Sequence, residues 1–289
     1  MSHPLRLEAP TPIEYFAALV AEDAGLNLLE AAASLAQDEH PDLDVQAVLS
    51  EVDAMGLRLR QRLPADASAQ SKLRSLCRYF YEELGFAGNV NNYYERDNSF
   101  IHQVLATRRG IPISLAVVFL ELATQLGLRA QGLAFPGHFL VRISMGNGEL
   151  ILDPFTGQSL SRSRLDEMLQ AFRGSTGLQG EVDLPVDLFL QPTPPRDILA
   201  RMLRNLKEIH RAAQDWTRLL AVQQRLVILL PHSALERRDR GLVLESLGHW
   251  PAAAEDLEAY LAQEPKALDG PMLQERLARL RERGGPALH

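Results

Sequence analysis

Apolar residues recur at helical spacing through the first part of the chain. Leu73, Leu76, Cys77, Phe80 and Leu84 lie three or four residues apart, the repeat that gathers side chains on one face of an α-helix. Residues 11–84 read throughout as helices, the first opened by Thr11-Pro12 with proline near the first helical position. Cys77 sits on the apolar face, where a buried core thiol is the plain reading. Between Gly85 and Asn98 the periodicity stops at the turn formers Gly88, Asn91, Asn92 and Asn98. Asn98 or Ser99 is placed to cap a helix running to about Arg108. Arg109-Gly110-Ile111-Pro112 punctuates next, and a strongly apolar helix follows from about Ile113 to Leu126.

The period then changes from that of a helix to that of a strand. Arg129 to Phe135, His138 to Ser144 and Glu149 to Asp153 are short β-rich runs separated by Pro136-Gly137 and Gly146-Asn147-Gly148. Val141 and Ile143 share one face and Arg142 and Ser144 the other, the alternation of consecutive antiparallel strands. A polar helix from about Ser161 to Phe172 closes this unit. Gly174, Gly177, Gly180, Pro185, Pro192 and Pro194-Pro195 then crowd residues 174–195, which read as a linker packed over the surface.

The last 95 residues match themselves. Trp216 and Trp250 lie 34 residues apart, and so do Pro231 and Pro265. That period is the length of a tetratricopeptide helix pair. Each proline ends a second helix, because it cannot donate the next backbone hydrogen bond. Gly241 and Ala253 suit close helix crossings, and Leu203, Leu206, Leu219 and Leu226 supply apolar faces. The segment resembles the tetratricopeptide family over about two repeats plus a final helix from Met272 to Arg283. Lys207 and His210 depart from its pattern, standing where small and aromatic residues are usual. The alternative is a plain helical bundle. Arrays of this kind bind a partner segment in a concave groove. Two repeats make only a shallow groove, and packing on the front part is the alternative role.

Composition narrows the classes. The 289 residues are 46% hydrophobic and 23% charged, an ordinary globular balance. The formal charge of −7 is uneven: residues 195–289 carry 15 basic and 13 acidic side chains, the rest 15 and 24. An acidic front half and interleaved charges behind it leave no stripe to track phosphates, so nucleic acid is not an expected partner. A single cysteine excludes an intrachain disulfide and fits a reducing compartment. The sequence has no apolar run long enough to span a membrane, and Met1 to Pro10 lacks an apolar signal core, so the expected location is the cytoplasm.

Three residues carry candidate chemistry. Ser114 begins the apolar helix, His138 opens a strand after Pro136-Gly137, and Asp153 ends a strand in Ile151-Leu152-Asp153-Pro154. A nucleophile, a base and a carboxylate that orients the base form a catalytic set, and exposed amides at a helix N-terminus favour developing negative charge. Each has a structural alternative: a helix cap for Ser114, a hydrogen-bonded strand histidine, an Asp-Pro turn. Gly137-His138-Phe139-Leu140-Val141 followed by Leu150-Ile151-Leu152-Asp153-Pro154 resembles the His and Asp strands of the transglutaminase-like superfamily, whose core is shared with papain-type peptidases. The run from Asn98 to Ile143 is most similar to the SirB-type branch, which joins such a region to tetratricopeptide repeats. In the superfamily a cysteine begins the preceding helix; here Arg109 to Ala116 offers Ser114.

The resemblance implies an α+β fold with a helical N-terminal region and an antiparallel sheet, followed by an all-α array. The expected divisions are 1–173, a linker at 174–195, and 196–289. Asn91, Asn92, Tyr93, Tyr94 and Arg109 are candidates for the same cleft, with a hydrogen-bonded loop and a surface ion pair as their plainer roles. No phosphate loop, dinucleotide fingerprint or zinc spacing occurs in the sequence, so no cofactor or metal is implied. Two functions follow. One is an interaction protein with a degenerate transglutaminase-like domain and a protein or peptide partner. The other is a serine hydrolase or acyl transferase in which Ser114 attacks, His138 moves the proton and Asp153 orients His138. A hydroxyl is far harder to ionise than a thiol, which weighs on the second.

Overall fold

The protein is described by a computed structural model covering residues 10–146, 148–176 and 185–284. Contacts divide it into two compact units. One holds Asp23–Ala36 and Asp42–Met202; the other holds the chain up to Glu22, Gln37–Pro41, and the chain from Leu203 onward. Sequence patterning alone assigns the first helix to the front part, whereas its contacts place it with the C-terminal helices.

The N-terminal helices start where short polar side chains satisfy the first exposed amides. Thr11 and Glu14 form a reciprocal capping box on α1 (Pro12–Leu19), with Thr11 N–H donating to the Glu14 carboxylate at 2.9 Å. Asn27, Asp44 and Ser68 cap α2 (Leu28–Ser34), α3 (Val45–Arg60) and α4 (Ala69–Cys77). Beyond α4 the chain continues as a π-helical turn, Arg78–Glu83. Leu73, Leu76 and Phe80 are buried as the spacing predicts, and Cys77 is half-buried. The short β1 (Ala87–Gly88) precedes a 3-10 turn, Arg96–Ser99, and α5 (Ile101–Thr107). Neither Asn98 nor Ser99 caps α5: its N-cap is Phe100, without a side-chain bond, because both polar residues turn into the interior. The helix stops at Arg108, which takes a left-handed φ of 59°.

Next come β2 (Arg109–Gly110), parallel to β1, and α6 (Pro112–Gln125). The sheet is antiparallel and runs in chain order through β3 (Arg129–Leu133), β4 (Leu140–Met145), β5 (Gly148–Leu152) and β6 (Ser159–Leu160). β6 was not legible in the sequence, being only two residues long. α6 packs on β3 and β4. Leu133, Phe135, Leu140 and Ile151 cluster with Leu165 and Leu169 of α7 (Arg162–Thr176) and with Val186. Leu140, Val141 and Ile143 are all fully buried, so both faces of β4 are covered. Each such side chain contributes about 1.5–3 kcal/mol on burial. Of the expected linker, residues 177–184 lie outside the described residues; Val186–Leu190 forms a 3-10 turn, and Pro192 bridges Leu133 at the edge of β3.

The helical array keeps the 34-residue period in its backbone. Its helices are α8 (Pro195–Ala212), α9 (Trp216–Leu229), α10 (Ala234–Ser246), α11 (Trp250–Gln263) and α12 (Gly270–Gly284). The division between the compact units falls within α8. α8 and α10 end, and α9 and α11 begin and end, at positions 34 apart. Leu230 and Glu264, after the two second helices, have nearly the same dihedrals, φ −123° ψ 65° and φ −120° ψ 66°. Gly241 lies so close to α11 that a Cβ there would stand 3.1 Å from Asp256 and Leu257, the close crossing its small size suggests. The atypical His210 is buried against Glu39 at 3.2 Å, which explains why no aromatic residue occupies its place.

Between the paired helices each repeat needs one left-handed residue. The second repeat uses Gly248 at φ 79°; the first uses Gln214 at φ 54°. An L side chain pays a steric penalty there that glycine avoids. Gln214→Gly is therefore expected to stabilise the array by about 0.5–1 kcal/mol, and Gly248→Ala to destabilise it by about 1 kcal/mol. Urea unfolding of the two variants checks both signs.

Candidate functional site

The sheet brings two of the three candidate residues together. Val141 pairs with Leu152, so the chain before β4 and the chain after β5 leave the ladder at the same end, carrying His138 and Asp153. The Asp153 carboxylate acts electrostatically on His138, and so do Arg201 and Arg164. Asp153 also serves a turn, as Asp-Pro suggests: Oδ1 accepts the Phe155 N–H at 2.9 Å and Oδ2 the Thr156 hydroxyl at 2.9 Å. Both carboxylate oxygens therefore have donors within the loop.

His138 is solvent-exposed in part. Burial of the remainder is the largest influence on its imidazole and lowers its pKa below the ordinary 6.5; Asp153 opposes this, and Arg201 and Arg164 reinforce it. The unfolded chain thus binds this proton at higher pH than the folded one. Folding stability is lost as pH falls through 6.5 towards the depressed value. His138→Gln is expected to remove that component, so the wild type should lose stability relative to the variant between about pH 7.5 and about pH 5.5. Denaturation curves that stay parallel across this range would contradict the assignment.

Ser114 is placed differently. It is fully buried at the third position of α6. Its hydroxyl donates to the carbonyl of Asn98 at 2.5 Å, with the Ile111 carbonyl at 3.1 Å, and accepts the Ile111 N–H at 3.2 Å. This is the reach-back half of a capping box, made here by serine. The side chain ties the start of α6 to the loop before α5.

That loop is organised by residues outside the candidate set. Asn98, buried, donates through Nδ2 to the carbonyls of Asn92 at 2.6 Å and Tyr93 at 3.2 Å, and accepts from Asn89 Nδ2 at 2.9 Å. Asn89 in turn accepts the Asn92 N–H at 3.2 Å. Asn91 and Asn92 are exposed, and Tyr94 is 82% exposed. Tyr93 leans towards Phe155, 6.0 Å between ring centres, and burial raises its hydroxyl pKa, opposed by Arg201. Phe155 closes over Gly88, where a Cβ would stand 2.2 Å from its ring. Among the described residues Arg109 pairs with no carboxylate; it donates to the backbone carbonyls of Gly85 at 2.7 Å and Arg108 at 2.9 Å.

Two more residues belong here. Arg201 donates to the His138 carbonyl at 2.8 Å and lies over Phe139. Its position 63 residues downstream, on a helix read as part of the array, gave no local signal. Tyr81 leads from the π-helical turn to the Asp153 loop: its hydroxyl meets the Pro154 carbonyl at 3.4 Å, and its ring packs on Gly157. Cys77, one helical turn before it, has its thiol pushed up to about 11 by burial, so it is no thiolate at neutral pH. Among the described residues no group of three or more His, Cys, Asp or Glu is placed to hold a metal ion, and no helix is long and apolar enough to cross a membrane.

Comparison with known proteins agrees with this architecture. Residues 46–204 match the transglutaminase-like superfamily, and residues 206–278 match the tetratricopeptide repeat. A UPF0162 protein of Xylella fastidiosa is 35% identical over 90% of this chain and 92% of its own length. One from Pseudomonas aeruginosa is 30% identical over 91% and 94%, and protein SirB1 of Salmonella typhimurium 26% over 78% and 82%. No solved structure matches the chain. With a four-stranded antiparallel sheet in the stretch that matches the first family and a 34-residue helical repeat later in the chain, the chain belongs to the transglutaminase-like superfamily as a SirB-type protein.

Proposed function

We propose that this protein is a non-catalytic interaction protein of the cytoplasm: a degenerate transglutaminase-like domain lying within residues 1–173 keeps the fold and a cleft about His138 and Asp153, while repeats from residue 196, reached through 174–195, engage a protein partner. The observation that carries the reading is the state of Ser114. Its buried hydroxyl is engaged by the backbone on both sides, donating to Asn98 and accepting from Ile111. A nucleophile needs an open approach and a base within reach of its proton. The commitment of both Asp153 oxygens to its own turn supports the same reading, as does the presence of a repeat type that generally mediates protein–protein contact. The single cysteine supports the cytoplasmic location.

A serine-directed fluorophosphonate probe tests the reading. Wild-type protein is expected to remain unlabelled, and Ser114→Ala to be less stable by about 1–3 kcal/mol through the loss of a buried hydrogen-bonding group. Labelling of the wild type that disappears in a folded Ser114→Ala variant would restore the hydrolase, with Ser114 as nucleophile, His138 as base and Asp153 as its orienting carboxylate.

A further inference from the structure

Arg201 carries a positive charge that its surroundings leave unbalanced. It stands half-buried on α8, with its guanidinium over the Phe139 ring at 5.7 Å. Its hydrogen-bond partners are two backbone carbonyls: Nη2 donates to that of His138 at 2.8 Å, and Nη1 reaches that of Phe135 only at 3.5 Å. Among the described residues no carboxylate pairs with it. Other withdrawn arginines of the chain, Arg142, Arg196, Arg225 and Arg240, each meet one. Burial is the largest influence on Arg201 and lowers its pKa, with only Tyr93 acting against it. A cation withdrawn from water without a counter-charge is costly to keep. Asp153, which acts on His138, is held in its own turn by the Phe155 N–H and the Thr156 hydroxyl.

The surroundings also narrow the anion that would balance it. A guanidinium has five N–H donors in a planar fork, and the two carbonyls leave enough of them to match a carboxylate. Arg164, the other arginine that acts on His138, is taken by Glu167 at 2.9 Å, so it brings no free charge for a phosphate dianion, and the Asp153 carboxylate would repel the extra negative charge. Tyr93 meets Tyr94 edge-on at 5.3 Å and lies 6.0 Å from Phe155. Tyr94 and Val90 are 82% and 75% exposed, so this loop offers apolar surface to a ligand. Asn98 and Asn89 hold the loop that presents it.

We propose that this end of the sheet binds a carboxylate attached to an aromatic or apolar body, Arg201 gripping the carboxylate through its fork and the Tyr93 ring bearing on the body. The inference deepens the interaction reading and rests on its cleft about His138. Isothermal titration of the full chain with phenylacetate tests it, against phenylacetamide, which lacks the charge, and phenyl phosphate, which carries more. Phenylacetate is expected to bind, the amide about tenfold more weakly, and Arg201→Gln to bind the acid about tenfold more weakly than the wild type. Arg201→Lys keeps the charge without the fork and should fall between. A purely structural Arg201 would change the melting temperature of these variants in buffer but would leave them the rise that phenylacetate gives the wild type. Tyr93→Ala, at a 40% exposed position, keeps Arg201 in place and is expected to bind several-fold more weakly. N-acetylphenylalanine separates two sources of the carboxylate: tighter binding than phenylacetate assigns the site to a polypeptide C-terminus, weaker binding to a free acid. No binding of either acid, equal binding of the amide, tighter binding of phenyl phosphate, or undiminished binding to folded Arg201→Gln overturns this inference and leaves the interaction reading standing. Labelling dependent on Ser114 overturns that reading instead, while acid binding that still requires Arg201 keeps the site.

Discussion

Arg225→Ala is expected to lower the stability of the repeat-containing unit by about 3–5 kcal/mol, because it strands one half of a buried ion pair. The guanidinium is 1% exposed and grips Asp38 with both arms, Nε to Oδ2 at 2.6 Å and Nη2 to Oδ1 at 2.8 Å. It also lies over the Phe16 ring at 4.9 Å and reaches the Pro12 carbonyl at 3.5 Å. Removing it leaves a carboxylate without its cation and a void beside a fully buried phenylalanine. The sign of the net effect belongs to the loss of one partner, not to the pair. Replacing both charges, Arg225→Met with Asp38→Leu, is expected to recover much of the loss, because two charges removed together leave no desolvated survivor. Arg225→Lys keeps the charge but loses the two-armed fork and the flat stacking surface, so it should fall between. Urea unfolding monitored on Trp216 and Trp250 fluorescence reads all three. A double variant as unstable as Arg225→Ala would mean that packing, not the uncompensated carboxylate, sets the cost.

Asn98→Ala is expected to cost about 2–4 kcal/mol, since three side-chain hydrogen bonds of a buried residue go at once and each is worth about 1 kcal/mol net, more when a buried partner is stranded. Two carbonyls, of Asn92 and Tyr93, and the Asn89 amide lose their partner. The backbone of Asn98 also receives the Ser114 hydroxyl, so disorder in the loop reaches the start of α6. Asn98→Asp should be no rescue: it keeps an acceptor for Asn89 but faces two carbonyl oxygens with a negative charge. Hydrogen exchange is the measure. Amides of residues 89–98 and of Ile111 are expected to lose protection in both variants, while those of β3 to β5 keep it. Unchanged protection at Ile111 would show that Ser114 and the loop are not coupled.

Much of this chain was legible without coordinates, and the reason is local. Thr11 before Pro12, the apolar stripe from Leu73 to Phe80, the run from Val141 to Ile143 and the 34-residue spacing of Trp216 and Trp250 each express a rule acting over a few residues or one repeat. Caps, strand alternation and helix-ending prolines need no knowledge of the rest of the fold. The α+β class, the repeat array and the order Ser114, His138, Asp153 followed from such rules and from the resemblance they supported.

What tertiary structure decided is where side chains with several equally good local uses ended up. Asn98 is as good a helix cap as any residue by its chemistry, yet it faces inward to hold the 89–98 loop. Ser114 could meet solvent at a helix N-terminus, yet a carbonyl sixteen residues earlier takes its proton. Arg201 stands 63 residues from His138, and Arg225 stands 187 residues from Asp38; nothing between them in the sequence records the contact. A polar group must find a partner once buried, and the sequence names the group but leaves the partner to the fold. The sequence by itself therefore determined the elements and their order. Whether a hydroxyl, a carboxylate or a guanidinium served chemistry or architecture was determined only when the packed chain brought distant backbone and charge beside it.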